Sequence, residues 1–307
     1  MRRTRLAATL TVAAVALLGC SSGGDSDDVT SAPTAASSPY VIANGSVPKR
    51  PLIPSNTYEA GGVRIVSNVF AGLVYYDADG RPQQEMATSI STPDNLTWTV
   101  ILEPGWTFSD GSPVTPTSYV KAWDWAATAS NGQINAYYFE PIIGFSYTED
   151  SSLIAAGGLE AREDENIIKI HLSQPIADFP ARLGYHAFYP LPEAAYADMA
   201  SYGAHPIGNG PYLIGDATAD GTDGTDGADR ADEAGTDETD SAANATASAD
   251  NTILLTPNPD YTGPRKAANK GIEIVAYDNL DDAYTDLRSG RLDILATLPA
   301  EAINTFA

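Results

Sequence analysis

Residues 96–132 read LTWTVILEPGWTFSDGSPVTPTSYVKAWDWAATASNG, and two periodicities within them set the fold class. Leu96, Trp98, Val100 and Leu102 alternate with Thr97, Thr99 and Ile101, the period of two expected of a half-buried strand. Asp110-Gly111 marks a turn. Thr115 is then placed to cap a helix with Pro116 at its first position, where a missing N–H costs nothing. Tyr119, Val120, Trp123 and Ala127 share one face of that helix, and Asn131-Gly132 ends it.

The same reading extends outward. Asp164-Glu165-Asn166 turns into a second strand, with Ile168, Ile170 and Leu172 on one face and Ile167, Lys169 and His171 on the other. Residues 272–277 read as a strand, 280–289 as a helix stopped by Gly290, and 292–295 as a further strand. Such a βαβ unit predicts parallel strands with a right-handed crossover. Residues 210–214 and 252–255 read as the consecutive strands of one hairpin. The whole is α/β with a mixed sheet.

Two segments fall outside that pattern. Residues 216–250 hold eleven Asp or Glu and one Arg, with no aromatic, Leu, Ile, Val or Pro. They have no apolar face at any period and are expected to be a disordered acidic insertion. Their Asp spacing fits neither an EF-hand loop nor a calcium-binding β-roll. The second segment is the N-terminus. Arg2, Arg3 and Arg5 precede a mainly apolar run, 6–18, too short for the roughly 20 residues of a spanning helix, so residues 1–19 read as a secretory signal. Leu17-Leu18-Gly19-Cys20 resembles a bacterial lipobox, which implies diacylglyceryl modification of Cys20. Cys20 is the only cysteine, which excludes an internal disulfide. Residues 20–39, mostly Ser, Gly, Ala, Asp and Pro, then read as a flexible tether.

Seventeen Lys and Arg against forty Asp and Glu give a net charge of −23. That balance argues against nucleic acid as a partner. No Gly-x-Ser-x-Gly elbow, Ser-x-x-Lys, His-Glu-x-x-His or phosphate loop occurs. His171, His186 and His205 are the only histidines and lie on separate segments, so no metal or cofactor is expected, and the chain reads as a non-enzyme. A surface adhesin is disfavoured by the lack of repeats outside the acidic segment.

Seven stretches, taken in order, resemble the extracytoplasmic solute-binding proteins of the oligopeptide/dipeptide type, family 5. They are Asn68-Val69-Phe70-Ala71-Gly72-Leu73-Val74 with Gly80-Arg81-Pro82, the strand at 96–102, the Trp106–Thr115 turn and helix start, Ala187-Phe188-Tyr189-Pro190-Leu191-Pro192, Pro206-Ile207-Gly208-Asn209-Gly210-Pro211-Tyr212, Asn258-Pro259-Asp260-Tyr261-Thr262-Gly263-Pro264, and residues 287–294. The resemblance implies a periplasmic-binding-protein-like fold of the class II type. Lobe I would comprise 40–60 and 175–290, with a smaller α/β subdomain, 61–174, inserted in it. Residues 291–307 would start the crossing to a second lobe, itself absent from this chain. It implies a monomeric lipoprotein on the outer face of the bacterial cell membrane that captures peptides for ABC permease subunits and, through them, the ATPase. Relatives binding nickel chelates, haem or oligosaccharides are alternatives, as is a truncated chain without function.

The resemblance also implies a ligand wall in two places. One is Asn44-Gly45-Ser46-Val47, where extended backbone can pair with a peptide main chain. The other is Tyr137-Tyr138, where each ring joins apolar area to a hydroxyl. Relatives often carry an acidic residue where this chain has Val47, and their carboxylate for a peptide amino terminus belongs to the second lobe. Trp98, Trp106, Trp123 and Trp125 read as core. Gly208-Asn209-Gly210-Pro211 reads as a turn whose glycines supply positive φ.

Overall fold

The computed structural model describes residues 39–215 and 251–303. The signal segment, Cys20, the tether up to residue 38 and the acidic insertion 216–250 lie outside the described residues.

Extended and helical segments form largely where the periodicity puts them. In chain order, β1 (Val41–Gly45) leads to α1 (Ala60–Val69), and β2 (Val74–Tyr76) pairs with β3 (Pro82–Gln84). β4 (Ala87–Ser91) and β5 (Thr97–Leu102) precede α2 (Pro116–Ala127). β6 (Leu159–Arg162) and β7 (Ile167–His171) follow, then the short helices α3 (Phe179–Arg182) and α4 (Met199–Ala204). β8 (Tyr212–Gly215), β9 (Thr252–Pro257), β10 (Ile272–Ala276) and α5 (Leu280–Ser289) complete the order.

One four-stranded sheet is antiparallel, in the order β4-β5-β7-β6, with Trp98 opposite Ile170 and Val100 opposite Ile168. Its inner face meets α2, whose Tyr119, Val120, Trp123 and Ala127 are all buried. Trp123 Nε1 donates to the Phe188 carbonyl at 2.9 Å, and the two rings meet edge to face at 5.4 Å. Trp98 and Trp106 are buried as well, and Trp125 packs against the same core. The helix stops at Ala127, earlier than the sequence suggests, because the chain tightens into a 3₁₀ turn over Ala129–Asn131. Gly132 closes that turn in the left-handed region at φ 58°.

The other four-stranded sheet is mixed, ordered β1-β10-β9-β8, with β1 parallel to β10. β8 and β9 pair antiparallel, Gly215 opposite Leu254, as the hairpin reading expected. Residues 292–295 do not form the expected strand. Ile294 alone bridges to Ala43, parallel and on the edge of β1 away from β10. The reason is local: Asp293 Oδ2 accepts the Ile42 N–H at 2.8 Å, so a side chain occupies a place on the edge of β1 that a backbone carbonyl would otherwise fill. β1 therefore lies between the two segments of the expected βαβ unit.

The turn at 208–211 is also built differently from its sequence reading. Neither Gly208 nor Gly210 has positive φ. Instead the loop runs against the end of α1: Gly210 N donates to Val69 O at 2.8 Å, and a Cβ on Gly210 would lie 2.6 Å from Asn68 O and Phe70 N. Buried Asn209 pairs with both backbone groups of Ala71, each at 3.0 Å. Close approach, not chirality, requires the glycine here.

A tyrosine-lined cleft along the first helix

α1 is a weak helix by composition, with Gly61 and Gly62 near its start and three valines. Packing of Ile65, Val66 and Val69 into the core holds it. Gly61 is the residue over which the chain after β1 passes: a Cβ there would lie 2.5 Å from Ser46 Oγ. The segment 44–47 is thereby seated on the N-terminal end of α1.

Within that segment the four candidate residues have different surroundings. Asn44 is buried and fully engaged along its backbone. Its N–H donates to Ile294 O at 3.0 Å, its Oδ1 accepts the Ala296 N–H at 2.8 Å, and its carbonyl accepts the Arg64 guanidinium. Gly45 packs against the Ile274 side chain. Ser46 is exposed and Val47 half-buried.

Tyr137 and Tyr138 lie on a 3₁₀ turn, Ala136–Phe139, pinned by buried Phe139. Asn135 fastens that turn to the chain ahead of α1: its N–H donates to Ser55 O at 3.1 Å and its Nδ2 to Thr57 O at 2.7 Å. His186 Nε2 lies 2.7 Å from the same Thr57 oxygen, so the ring donates there. Burial holds the His186 imidazole below its ordinary value, while the bond to Thr57 and the charge of Glu59 pull the other way. Tyr138 stacks on Tyr185 at 4.0 Å and 22°, and Tyr137 lies 4.4 Å from Tyr138. A hydrogen bond to Tyr138 and some burial push the Tyr137 phenol up to about 12.

Between α1 and this ladder of rings is a cleft of about 330 Å³. Val63 and Ser67 line it from α1, Tyr75 and Tyr76 from β2, and Gly184, Tyr185 and His186 from the chain after α3. Tyr189 and Arg265 also line it. The Arg265 guanidinium makes four hydrogen bonds beneath the cleft. Nε and Nη2 donate to the Glu85 carboxylate at 2.6 and 3.2 Å, Nη1 to Ser67 O at 2.6 Å and Nη2 to Phe70 O at 2.9 Å. The last two oxygens belong to the C-terminal end of α1, whose carbonyls lack helical partners and whose dipole favours a cation. The Glu85 side chain is fully buried and also accepts the Tyr261 hydroxyl at 2.5 Å. Burial works to lower the Arg265 value, and the Glu85 charge outweighs it. Burial pushes Tyr189 up to about 12 although Arg265 pulls it down.

None of Asn44, Gly45, Ser46, Val47, Tyr137 and Tyr138 lines this cleft, and of them Tyr138 meets a lining residue by stacking on Tyr185. Arg265 is the residue directly after the Asn258–Pro264 stretch, and Tyr185-His186 directly precedes Ala187-Phe188-Tyr189. Glu85 carries no signal, since the Gln83-Gln84 pair before it is exposed. Among the described residues, no group of His, Cys, Asp and Glu converges as a metal site. Among the lining residues, Ser67 bonds Tyr189 and His186 bonds Thr57, so they do not form a nucleophile–base pair.

Residues 81–222 match the family model for bacterial extracellular solute-binding proteins, family 5 Middle. The oligopeptide-binding protein OppA of Bacillus subtilis is 23% identical over 264 residues, covering 82% of this chain and 42% of that protein. The "probable deoxycholate-binding periplasmic protein YgiS" of Escherichia coli is 23% identical over 263 residues, again 82% of this chain and 42% of the relative. In three dimensions, the murein tripeptide binding protein MppA of Escherichia coli superposes with a TM-score of 0.69 at 18% identity, covering 87% of this chain and 47% of that one. The chain thus spans less than half the length of these relatives. The fold is periplasmic-binding-protein-like.

Proposed function

Because the chain belongs to the family 5 extracellular solute-binding proteins, we propose that it captures peptides outside the membrane as the substrate-binding lipoprotein of an ABC importer. Family 5 proteins bind solutes and do not catalyse reactions, and relatives of this chain are named for oligopeptides. In this reading Cys20 carries the lipid, ABC permease subunits receive the loaded protein, and their ATPase is a separate polypeptide. The observation that carries the reading is the cleft along α1. Tyr75, Tyr76, Tyr185 and Tyr189 line it, and Tyr138 stacks on Tyr185; the peptide wall proposed beside it is Asn44, Gly45, Ser46, Val47, Tyr137 and Tyr138.

One wall gives weak binding. A main-chain hydrogen bond nets about 1 kcal/mol, whereas loss of rigid-body freedom costs roughly 4 kcal/mol or more. Residues 20–307 are therefore expected to bind short peptides with a Kd no tighter than about 1 mM, near −4 kcal/mol. Extending the chain with a second lobe of the family type brings contacts from the other side and should give micromolar affinity or better. Calorimetry on both proteins decides. Micromolar binding by residues 20–307 alone would mean that one wall suffices. If the extended protein ignored peptides but bound deoxycholate, the peptide reading would fall.

A further inference from the structure

The cleft is small and its rings are fixed in place. Its volume of about 330 Å³ is at the low end of ligand pockets, room for part of a peptide and not for a whole one. Tyr76 stands over the space left by Gly184, where a Cβ would lie 3.0 Å from the ring. The Tyr76 hydroxyl is tied to Ala181 O at 2.5 Å. Tyr185 is held between Tyr138 on one side and His186 on the other, each ring centre 4.0 Å away. Rings already ordered lose little conformational entropy when a ligand arrives.

Charge is the second argument. Arg265 is the one permanently charged group among the lining residues, and the Glu85 carboxylate already neutralises it. Its Nε, Nη1 and Nη2 all donate to protein oxygens, and Nε2 of His186 is bound to Thr57. An ionised ligand side chain entering here would give up water without meeting a counter-charge. An uncharged ring would meet Tyr76, Tyr185 and Tyr189 in contacts that aromatic pairs favour.

We infer that this hollow is a specificity pocket for one uncharged aromatic side chain of the bound peptide, with Val63, Tyr76 and Gly184 as the residues that set the preference. The inference rests on the peptide reading above. It is tested on the full chain by saturation-transfer NMR with Ala-Ala-Ala and with tripeptides carrying Phe, Lys or Glu at each position in turn. At one position Phe should bind about tenfold more tightly than Lys or Glu, a factor that corresponds to 1.4 kcal/mol. Gly184→Leu fills the hollow and should abolish that preference. Should Gly184→Leu fail to fold, Val63→Glu decides, because it adds a carboxylate at a half-buried helix position and should make Lys the preferred residue over Phe. Equal affinities at every position overturn the pocket and leave the peptide reading standing, as does a Phe preference unmoved by Val63→Glu. Where only the chain extended with a second lobe binds, the same comparisons are read on that protein; absence of binding by any tripeptide to both proteins overturns the peptide reading and the pocket together.

Discussion

Glu85 and Arg265 are 180 residues apart in the chain and meet at 2.6 Å beneath the cleft. The carboxylate is fully buried and the guanidinium mostly so. A buried pair adds little net stability over an apolar replacement, but removal of one partner strands the other charge. Glu85→Ala should therefore cost about 3–5 kcal/mol in urea denaturation. The double variant Glu85→Leu/Arg265→Met should recover part of that loss. A single variant as stable as the parent would mean that solvent reaches Arg265 in the folded protein.

His186 gives the fold an acid sensitivity with a defined sign. Its folded value lies below the ordinary 6.5, chiefly through burial, so the unfolded chain takes up the proton more readily. The stabilisation from the neutral ring is whole above about pH 6.5 and is lost as pH falls from there through the folded value. Thermal unfolding should show Tm decreasing between about pH 7 and pH 5, with a slope of at most about 1.4 kcal/mol per pH unit. His186→Gln, which can still donate to Thr57, should flatten that slope. An unchanged slope would assign the sensitivity to other groups.

Gly210→Ala tests the loop against the end of α1. The added methyl would meet Asn68 O and Phe70 N, both backbone atoms at 2.6 Å, and backbone cannot swing aside as a side chain can. A loss of about 1–3 kcal/mol is expected in denaturant unfolding. A neutral result would mean that the loop moves off the helix at little cost.

The strands and helices that could be read from sequence were those whose periodicity a single neighbouring layer determines. β5, β7 and α2 each show one apolar face because one sheet and one helix pack together, and Trp98 and Trp123 are buried as their phase requires. The segment 292–295 could not be read that way. Its Leu-Asp-Ile-Leu has strand composition, but its partner is β1, and the decisive bond is made by the Asp293 side chain. The cleft was less legible: Tyr137 and Tyr138 stand out as adjacent tyrosines, but neither lines it, and Tyr138 reaches it by stacking on Tyr185. Glu85, Arg265 and the Asn135–Thr57–His186 junction depend on contacts between distant segments that no local pattern encodes.

The lipobox resemblance makes a separate prediction for Cys20, a residue outside the described ones. Mature protein should begin at Cys20 and partition with membranes, since two acyl chains anchor where one holds only marginally. Cys20→Ala should leave the protein unprocessed or release it. Mass spectrometry of a mature protein with an unmodified Cys20 would rule the anchor out.

Ile42 and Asp293 are 251 residues apart, yet each lies on its partner's doorstep in the finished sheet. β1 is synthesised well before both of its neighbours, β10 and the Ile294 bridge. At translation rates of about 5–20 residues per second, the ribosome needs roughly 10–50 s to make the intervening chain. Through that interval β1 has two open edges, and the mixed sheet cannot close around it. Such long-range pairing makes folding slow. A polypeptide that stays unfolded for tens of seconds remains threadable through a narrow translocation channel, and the same delay leaves an unpaired strand exposed to other chains if export stalls.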